Sequence, residues 1–370
     1  MSSSTNASAA GDSQRPVHRF VVPELSLETG GVLHEAPVTY RTWGELNAAG
    51  DNAVVVCHAL TGDVHVNDWW GDLLGPGRAL DPEKYFIVCA NVLGSPYGSA
   101  SPLTRNPETG ECYGPAFPQV TIRDTVSAHR ALLDHLGVRQ VAFAIGGSMG
   151  AMQVLEWAFY GSFVRAIVPI AVGGRHSAWC IGWSEAQRQC IFADPKWRGG
   201  AYPPDDPPRT GLAAARMNAM VSYRSPRSFA QRFSRNRMND GTDRYQVESY
   251  LQYHGQKLTS RFDANCYVHL TRQMDTHDVS RGRGRYQAVL ERITQPALVV
   301  AIDSDVLYPP EEQEELARYL PHATLATLSS PHGHDAFLIE VEKLNDLVRS
   351  WQKTLAGTDR PAPTPATTRQ

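Results

Sequence analysis

The segment around Ser148 constrains the fold of this chain more than any other. An apolar run at 141–145 is followed by Gly-Gly-Ser-Met-Gly at 146–150 and by a helix-like stretch at 151–160. Glycines beside a serine permit a sharp turn where a side chain would clash with neighbouring backbone. The pentapeptide alone is a weak signal, but this context predicts a strand, a tight turn and a helix. A nucleophilic serine is typically placed at such a turn.

Short apolar runs alternate with helical patterns on both sides of this turn. Strands are predicted at 53–57, 85–90, 141–145, 166–172, 297–302 and 324–329, and helices at 124–136 and 336–355. Alternation of strand and helix is typical of a parallel sheet covered by helices on both faces. The sequence therefore predicts an α/β fold with a doubly wound, mostly parallel sheet.

The alternation stops between residues 173 and 294. This part is rich in Arg, Gln, Tyr, Trp and Met, with helix-like segments at 184–192 and 210–223, and it predicts a helical lid inserted into the sheet domain. The ends are dominated by small and polar residues or by proline, which favours disorder. The predicted division is a disordered N-terminus at 1–18, the first part of the core at 19–172, the lid at 173–294, the second part of the core at 295–355 and a disordered tail at 356–370.

Charge and composition exclude several classes of partner. The 370 residues carry a formal net charge of −3, with acids and bases interspersed, so we expect no nucleic-acid or membrane partner. No apolar run is long enough to span a membrane, and the N-terminal segment lacks the features of a secretory signal. The cysteines lack C-x-x-C spacing, which favours reduced thiols in the cytoplasm over disulfides. They are Cys57, Cys89, Cys112, Cys180, Cys190 and Cys266.

A nucleophilic serine needs a base and an acid that orients the base, and in sheets of this type they follow the serine in the order Asp, His. Asp303 and Asp305 come directly after the predicted strand at 297–302, and His332 and His334 lie in the loop before the last predicted helix. An aspartate here can also cap a helix, and a His-Gly-His loop can be a solvated turn. The residues alone leave the choice within each pair open.

An acyl-transfer serine also needs backbone donors for the oxyanion that forms during attack. One expected donor is the N–H of Met149, the residue after the serine. The other is expected in the loop at 58–62, where Leu60 is the natural candidate. The alternative is that this loop is an ordinary strand-to-loop transition.

Several separate segments together resemble one family, the homoserine O-acyltransferases of the α/β-hydrolase fold. They are HALTG at 58–62, NVLGSPYGS at 91–99, TIRD at 121–124, GGSMGAMQVLEW at 146–157, RFDAN at 261–265, MDTHD at 274–278, SD at 304–305 and GHDAFL at 333–338. The resemblance covers about residues 20–351. It departs at Ala151, where the family most often has a glycine, and we expect no loss of chemistry from that methyl group.

The resemblance implies an α/β-hydrolase fold and assigns the catalytic roles. Ser148 is the implied nucleophile, His334 the base and Asp305 the orienting acid, with Leu60 and Met149 as the oxyanion donors.

The resemblance also implies that Arg216, Tyr223 and Asp335 hold the amino-acid acceptor. An amino acid with a carboxylate and an ammonium needs one fixed cation and one fixed anion, which Arg216 and Asp335 supply. Without the resemblance, Arg216 on an alanine-rich helix reads as a surface or salt-bridging arginine.

The implied substrates are acetyl-CoA, as a co-substrate, and L-homoserine. Acetyl is preferred over succinyl because the segments 175–180 and 185–190 resemble the fungal-type branch. That branch also includes acetyltransferases of serine and deacetylcephalosporin, so these acceptors stay open. A serine esterase also stays open, whereas an intact serine, aspartate and histidine in the right order argue against a non-catalytic binding protein.

No cofactor is expected, and no metal, because Asp275, His277 and Asp278 lack further ligands at a recognisable spacing. The arginines within 281–285 contact CoA phosphates or belong to a solvated lid loop. A homodimer through the lid is implied, in which Trp179, Trp183 and Tyr250 contact the partner or else pack on the core.

Overall fold

An eight-stranded sheet forms the centre of the computed structural model, which describes residues 16–358. The strands are β1 (His18–Ser26), β2 (Val32–Trp43), β3 (Ala53–Cys57), β4 (Phe86–Ala90), β5 (Val141–Gly147), β6 (Ile167–Ile170), β7 (Ala297–Ile302) and β8 (Ala323–Leu328). Their order in space is β1-β2-β4-β3-β5-β6-β7-β8. Every pairing among strands β3 to β8 is parallel. Strand β2 is antiparallel to both of its neighbours, β1 and β4. The predicted doubly wound, mostly parallel sheet is confirmed.

Helices cover both faces of the sheet. They are α1 (Val66–Trp70), α2 (Ile122–His135), α3 (Met149–Trp157), α4 (Ala178–Phe192), α5 (Arg209–Ser222), α6 (Pro226–Phe233), α7 (Gln246–Thr259), α8 (Ala264–Asp275), α9 (Tyr286–Leu290), α10 (Pro310–Tyr319), α11 (Ala336–Ile339) and α12 (Val341–Thr358). In β3, Val55 joins the core with α2 and α3, whereas Val54 and Val56 join the core with α12. Burial on both faces explains why the central strands read as continuous apolar runs. None of the helices in the described part of the chain combines the length and apolar character that a membrane crossing requires.

Helices α4 to α9 lie between β6 and β7, in the part of the sequence where the alternation stops. Helix α5 packs against α4 and α7, and α4 packs against α8. Met220, Phe233 and Tyr250 form a small separate core within these helices. Tyr267 and Leu270 of α8 are fully buried in the main core, so the inserted helices rest directly on the sheet domain.

The structure corrects the sequence predictions in three places. Strands β1 and β2 were not predicted, and β1 begins at His18, inside the range predicted as disordered. Helix α12 extends to Thr358, beyond the predicted start of the tail at 356. The helix predicted at 336–355 is divided at Glu340, whose backbone is non-helical, with φ −92° and ψ 46°. The rest of the two predicted disordered ends, 1–15 and 359–370, lies outside the described residues.

Candidate active site

Ser148 occupies the turn between β5 and α3 in a strained backbone conformation. Its φ of 58° and ψ of −127° are unusual for a residue with a side chain. The Ser148 N–H donates to the carbonyl of Ile170 at 3.0 Å, and the Ser148 carbonyl accepts from the N–H groups of Ala151 and Met152 at 2.8 and 3.2 Å. The neighbouring strand and helix thus hold the strain in place, and strain of this kind concentrates at functional sites.

The glycines of the turn are required by close approaches. A Cβ on Gly146 would lie 2.7 Å from the Cys57 carbonyl oxygen, and one on Gly150 would lie 2.1 Å from the same atom. A Cβ on Gly147 would lie 2.6 Å from the ring of Phe337. In contrast, Ala151 is fully buried within α3, so the fold accommodates the methyl group at the position where the family most often has glycine.

Substituting Gly150 with alanine is expected to destabilise the protein by about 3 kcal/mol or more, because the clash is with backbone and requires α3 to move. A matched control is Gly182→Ala in the exposed part of α4, where an added Cβ meets nothing within 4 Å. That change is expected to stabilise the protein by about 0.5–1 kcal/mol through helix propensity. Urea unfolding measures both. Equal stability of the two variants would contradict this account of the turn.

His334 and Asp305 form a buried, hydrogen-bonded pair. His334 Nδ1 donates to Asp305 Oδ2 at 2.7 Å. The other oxygen, Oδ1, accepts from the N–H groups of Leu307 and Tyr308 at 2.8 and 3.0 Å. The carboxylate is therefore held in one orientation and fixes the imidazole tautomer. His334 Nε2 is buried and has no hydrogen-bond partner within residues 16–358, so it is available as a proton acceptor.

The environment of His334 raises its pKa above the ordinary value. Burial disfavours the imidazolium, but the charge of Asp305, the hydrogen bond to it and the charge of Asp335 together outweigh burial. The pair is thus arranged to stabilise the imidazolium that forms when Nε2 takes a proton.

We therefore expect an acid limb in the pH dependence of acylation. The base form of His334 is lost as the pH falls through its pKa, and a raised pKa places that limb above pH 6.5, the ordinary value for histidine. The measurement is kcat/KM for acetyl-CoA, the acyl donor that the family resemblance implies, between about pH 5 and pH 9, a range centred near that value. A limb below the ordinary histidine pKa, or none, would contradict the assignment of His334 as the base.

The structure also separates the alternatives that the residues left open. Asp303 accepts from the hydroxyl of Ser329 at 2.7 Å and from the N–H of Ser330 at 2.9 Å. The ring of His332 lies 3.3 Å from the hydroxyl of Ser228. Asp303 thus fastens the loop that leads to His334, and His332 contacts the inserted helices.

Asp335 links His334 to the end of the inserted helix α5. Its N–H donates to the Tyr223 carbonyl at 3.1 Å, and its carboxylate lies 3.3 Å from Nε of Arg224. The Tyr223 ring centroid lies 5.9 Å from that of His334, and the Arg216 guanidinium lies 5.4 Å from the Tyr223 centroid. The residues predicted to hold the acceptor are therefore grouped around His334.

Burial and nearby positive charge have opposite effects on the pKa of Asp335. Burial raises the pKa of Asp335, and the positive charges of Arg224, Arg216 and His334 act in the opposite direction. Burial likewise raises the pKa of Tyr223. The sequence did not predict a role for Arg224. Its partner, Asp335, lies far along the chain, and its place beside Tyr223 was the only local signal.

The two predicted oxyanion donors lie on elements that touch. Leu60 is buried in the loop after β3, and the loop is closed by a bond from the Gly62 N–H to the Ala59 carbonyl at 2.9 Å. Met149 opens α3, so its N–H has no acceptor within the helix. The buried amide of Gln153 donates to the carbonyls of His58 and Met149, both at 3.3 Å. This bridge fixes the loop relative to α3.

The acidic and histidine residues considered for a metal have other partners. Asp275 pairs with Arg188 at 2.7 Å, His277 Nε2 lies 3.2 Å from the Gly173 carbonyl, and Asp278 accepts from Ser280. Among the described residues, no group of three or more His, Cys, Asp or Glu side chains is placed to hold a metal ion. All six cysteines are free in the described part of the chain.

Two arginines of the 281–285 run bind carboxylates of the core. Arg281 pairs with Glu28 at 2.8 Å, and Arg283 pairs with Glu156 of α3 at 2.7 Å. These two side chains tie the end of the inserted helices to the core, and residues 282, 284 and 285 of the run are exposed, as expected for a solvated loop.

The sheet, the strained serine and the linked His-Asp pair define a protein of the α/β-hydrolase class, and the family model for the alpha/beta hydrolase fold matches residues 52–341. Homoserine O-acetyltransferase of Salinibacter ruber is 66% identical over 343 residues, covering 91% of this chain and 97% of that protein. The protein of the same name from Trichormus variabilis is 55% identical, covering 93% and 95%. The chain belongs to the homoserine O-acetyltransferase family and is an acyltransferase.

Solved structures resemble most of the chain. Homoserine O-acetyltransferase from Staphylococcus aureus has a TM-score of 0.75 at 27% identity and covers 96% of this chain and 98% of its own. Esterase E22 has a TM-score of 0.84 at 26% identity, with coverage of 91% and 99%. The same fold thus occurs in a transferase and in an esterase, so the side chains at the site, and not the fold, decide the activity.

Proposed function

We propose that this enzyme transfers an acetyl group from acetyl-CoA to the hydroxyl of L-homoserine, releasing CoA and O-acetyl-L-homoserine for methionine biosynthesis. The observation that carries the proposal is Asp335, a largely buried carboxylate directly after the base and paired with Arg224, with Arg216 close by. An esterase needs no such charge pair beside its base. The 66% identity to the Salinibacter ruber protein supports the same conclusion, and six free cysteines suit a reducing cytoplasm.

In the first half-reaction, Ser148 Oγ attacks the thioester carbonyl while His334 Nε2 takes its proton. The oxygen of the tetrahedral intermediate accepts hydrogen bonds from the N–H groups of Leu60 and Met149. The C–S bond then breaks, CoA leaves with the proton from His334, and the acetyl group remains on Ser148 as an ester.

In the second half-reaction, homoserine replaces CoA. Arg216 binds the α-carboxylate, Asp335 binds the α-ammonium, and Tyr223 lines the space between the acceptor and the base. His334 takes the proton of the homoserine hydroxyl, whose oxygen attacks the acetyl ester, and Ser148 leaves with that proton. Positioning of the hydroxyl gives it the advantage over water.

The proposed scheme uses no cofactor or metal. Acetyl-CoA enters it as a co-substrate.

We also propose a homodimer through the lid, supported by the exposure of two lid aromatic residues, Trp179 at 54% and Tyr253 at 57%. Of the other residues considered, Tyr250 packs inside the lid and Trp183 is half-buried against the main core.

The test is release of free CoA from acetyl-CoA and from succinyl-CoA, each with L-homoserine, L-serine, deacetylcephalosporin C or no acceptor. We expect sustained release only with acetyl-CoA and homoserine. Sustained release without any acceptor would indicate an esterase-type hydrolase, and release with another pair would replace the donor or the acceptor named here.

Substitutions in the acceptor site are expected to separate the two half-reactions. Arg216→Gln and Asp335→Asn each remove a charge-assisted contact of about 1.5–3 kcal/mol, so the KM for homoserine rises by about 10- to 100-fold. The single burst of CoA release without acceptor should persist in both. Arg227→Gln, an exposed arginine at the start of α6, is the control and is expected to behave as wild type. Unchanged KM values in the first two variants would contradict the acceptor site.

A further inference from the structure

His58 is a buried histidine in the loop after β3 whose ring has a partner on each nitrogen. Its Nε2 faces the N–H of Val92 at 3.1 Å, and its Nδ1 faces the carbonyl oxygen of Ala59 at 2.9 Å. The Val92 N–H can only donate, so Nε2 carries no proton. Nδ1 therefore carries the proton and donates to Ala59. Burial lowers the pKa of His58 and outweighs the Ala59 hydrogen bond and the charge of Asp63, which both raise it. The lowered pKa favours the neutral ring.

The carbonyl that the ring holds belongs to the same peptide unit as the N–H of Leu60. The described residues contain no cis peptide bond, and in a planar trans peptide the C=O and N–H point in opposite directions. The Ala59 carbonyl also accepts from the Gly62 N–H at 2.9 Å. Two donors thus fix the plane of this peptide, and with it the direction of the Leu60 N–H.

The ring is in turn held by the surrounding structure. His58 is fully buried, and the Cβ that a side chain would add at Gly62 would lie 3.1 Å from the His58 Cβ. The His58 carbonyl accepts from Gln153 of α3. The loop, the ring and the helix that begins beside Ser148 therefore form one packed unit.

We propose that His58 is the positioning residue of the oxyanion hole: its Nδ1–H, through the Ala59 carbonyl, aims the Leu60 N–H at the oxygen on which charge develops. This inference rests on the proposed function, in which Leu60 is a donor. His58 does not touch the substrate. Its effect is preorganisation, because a donor already aimed needs no rearrangement when the oxyanion forms.

Two substitutions separate this role from a structural one. In His58→Asn, the amide nitrogen can occupy the place of Nδ1 and donate to Ala59, but the Val92 N–H loses its acceptor. In His58→Gln, the amide oxygen can occupy the place of Nε2 and accept from Val92, but the Ala59 carbonyl loses the ring donor. We expect the rate of acylation to depend on the hydrogen bond to the Ala59 carbonyl. We expect the stability of the fold to depend on the hydrogen bond from the Val92 N–H.

The experiment measures single-turnover CoA release from acetyl-CoA, the KM for homoserine and urea unfolding of the full-length protein. Loss of a whole oxyanion donor costs about 10²- to 10³-fold, so a misaimed donor in the glutamine variant should slow acylation by about 10- to 100-fold. The asparagine variant should acylate at least about tenfold faster than the glutamine variant despite unfolding at lower urea. KM for homoserine should be unchanged in both.

Acylation by the glutamine variant at the wild-type rate, or activity that follows the order of stability, would overturn the proposal. The wild-type protein in the same assay tests the proposed function separately, because failure of wild type to release CoA removes that function and this inference with it. If neither variant folds, NMR of the ¹⁵N-histidine-labelled wild type decides. A proton on Nδ1 of His58 supports the proposal, and a proton on Nε2 overturns it.

Discussion

Replacing Ser148 with alanine is expected to lower kcat for acetyl transfer by about 10⁴- to 10⁶-fold, because alanine lacks the hydroxyl on which the acetyl ester forms in the proposed mechanism. The fold should survive, since alanine and serine have similar backbone preferences at the positive φ of this position. Acceptor-dependent CoA release measures the effect. Ser127→Ala on α2, where the hydroxyl contacts Tyr160, is the matched control. Transfer by the Ser148 variant at near the wild-type rate would contradict the covalent mechanism.

Replacing Asp305 with asparagine is expected to lower kcat by about 10⁴-fold through the wrong tautomer of His334. The asparagine oxygen would keep the two backbone donors, Leu307 and Tyr308, that now bind Oδ1. Its NH₂ group would then face His334 Nδ1, which must become the acceptor. The proton moves to Nε2, and Nε2 can no longer act as the base.

The control for this variant is Asp303→Asn, because the Asp303 carboxylate accepts hydrogen bonds from Ser329 and Ser330, whereas that of Asp305 accepts one from His334. It is expected to retain far more activity. The acid limb in the pH dependence of the residual activity should also shift to lower pH in the Asp305 variant. The reason is that the carboxylate that raises the pKa of His334 is gone. Similar kcat values for the two variants would argue against the His334–Asp305 pair.

The centre of the fold could be predicted because its strands are buried on both faces. β3 and β7 begin and end at the predicted residues, since their apolar runs coincide with the paired segment. β1 could not be predicted in this way, because it is an edge strand that leaves most of its side chains at least partly exposed. Its partners come from β2, and local sequence does not record them.

The site was predictable where the signal is local and not where it depends on distant partners. The glycines around Ser148 indicate the turn in the sequence. A Cβ at any of the three positions would clash with backbone or with an aromatic ring, so the turn requires glycine there. The choice between Asp303 and Asp305 needed a family resemblance, since both follow the same strand. Arg224 and His58 have partners on other elements, Asp335 and Val92, and the sequence carries no sign of those contacts.

The most direct test of the account is the intact mass of the enzyme after incubation with acetyl-CoA alone, followed by addition of L-homoserine. The account predicts that one acetyl group is gained, that peptide mapping places it on Ser148, and that homoserine removes it with formation of O-acetyl-L-homoserine. Transfer without any acetylated enzyme, or loss of the acetyl group to water as fast as to homoserine, would contradict it.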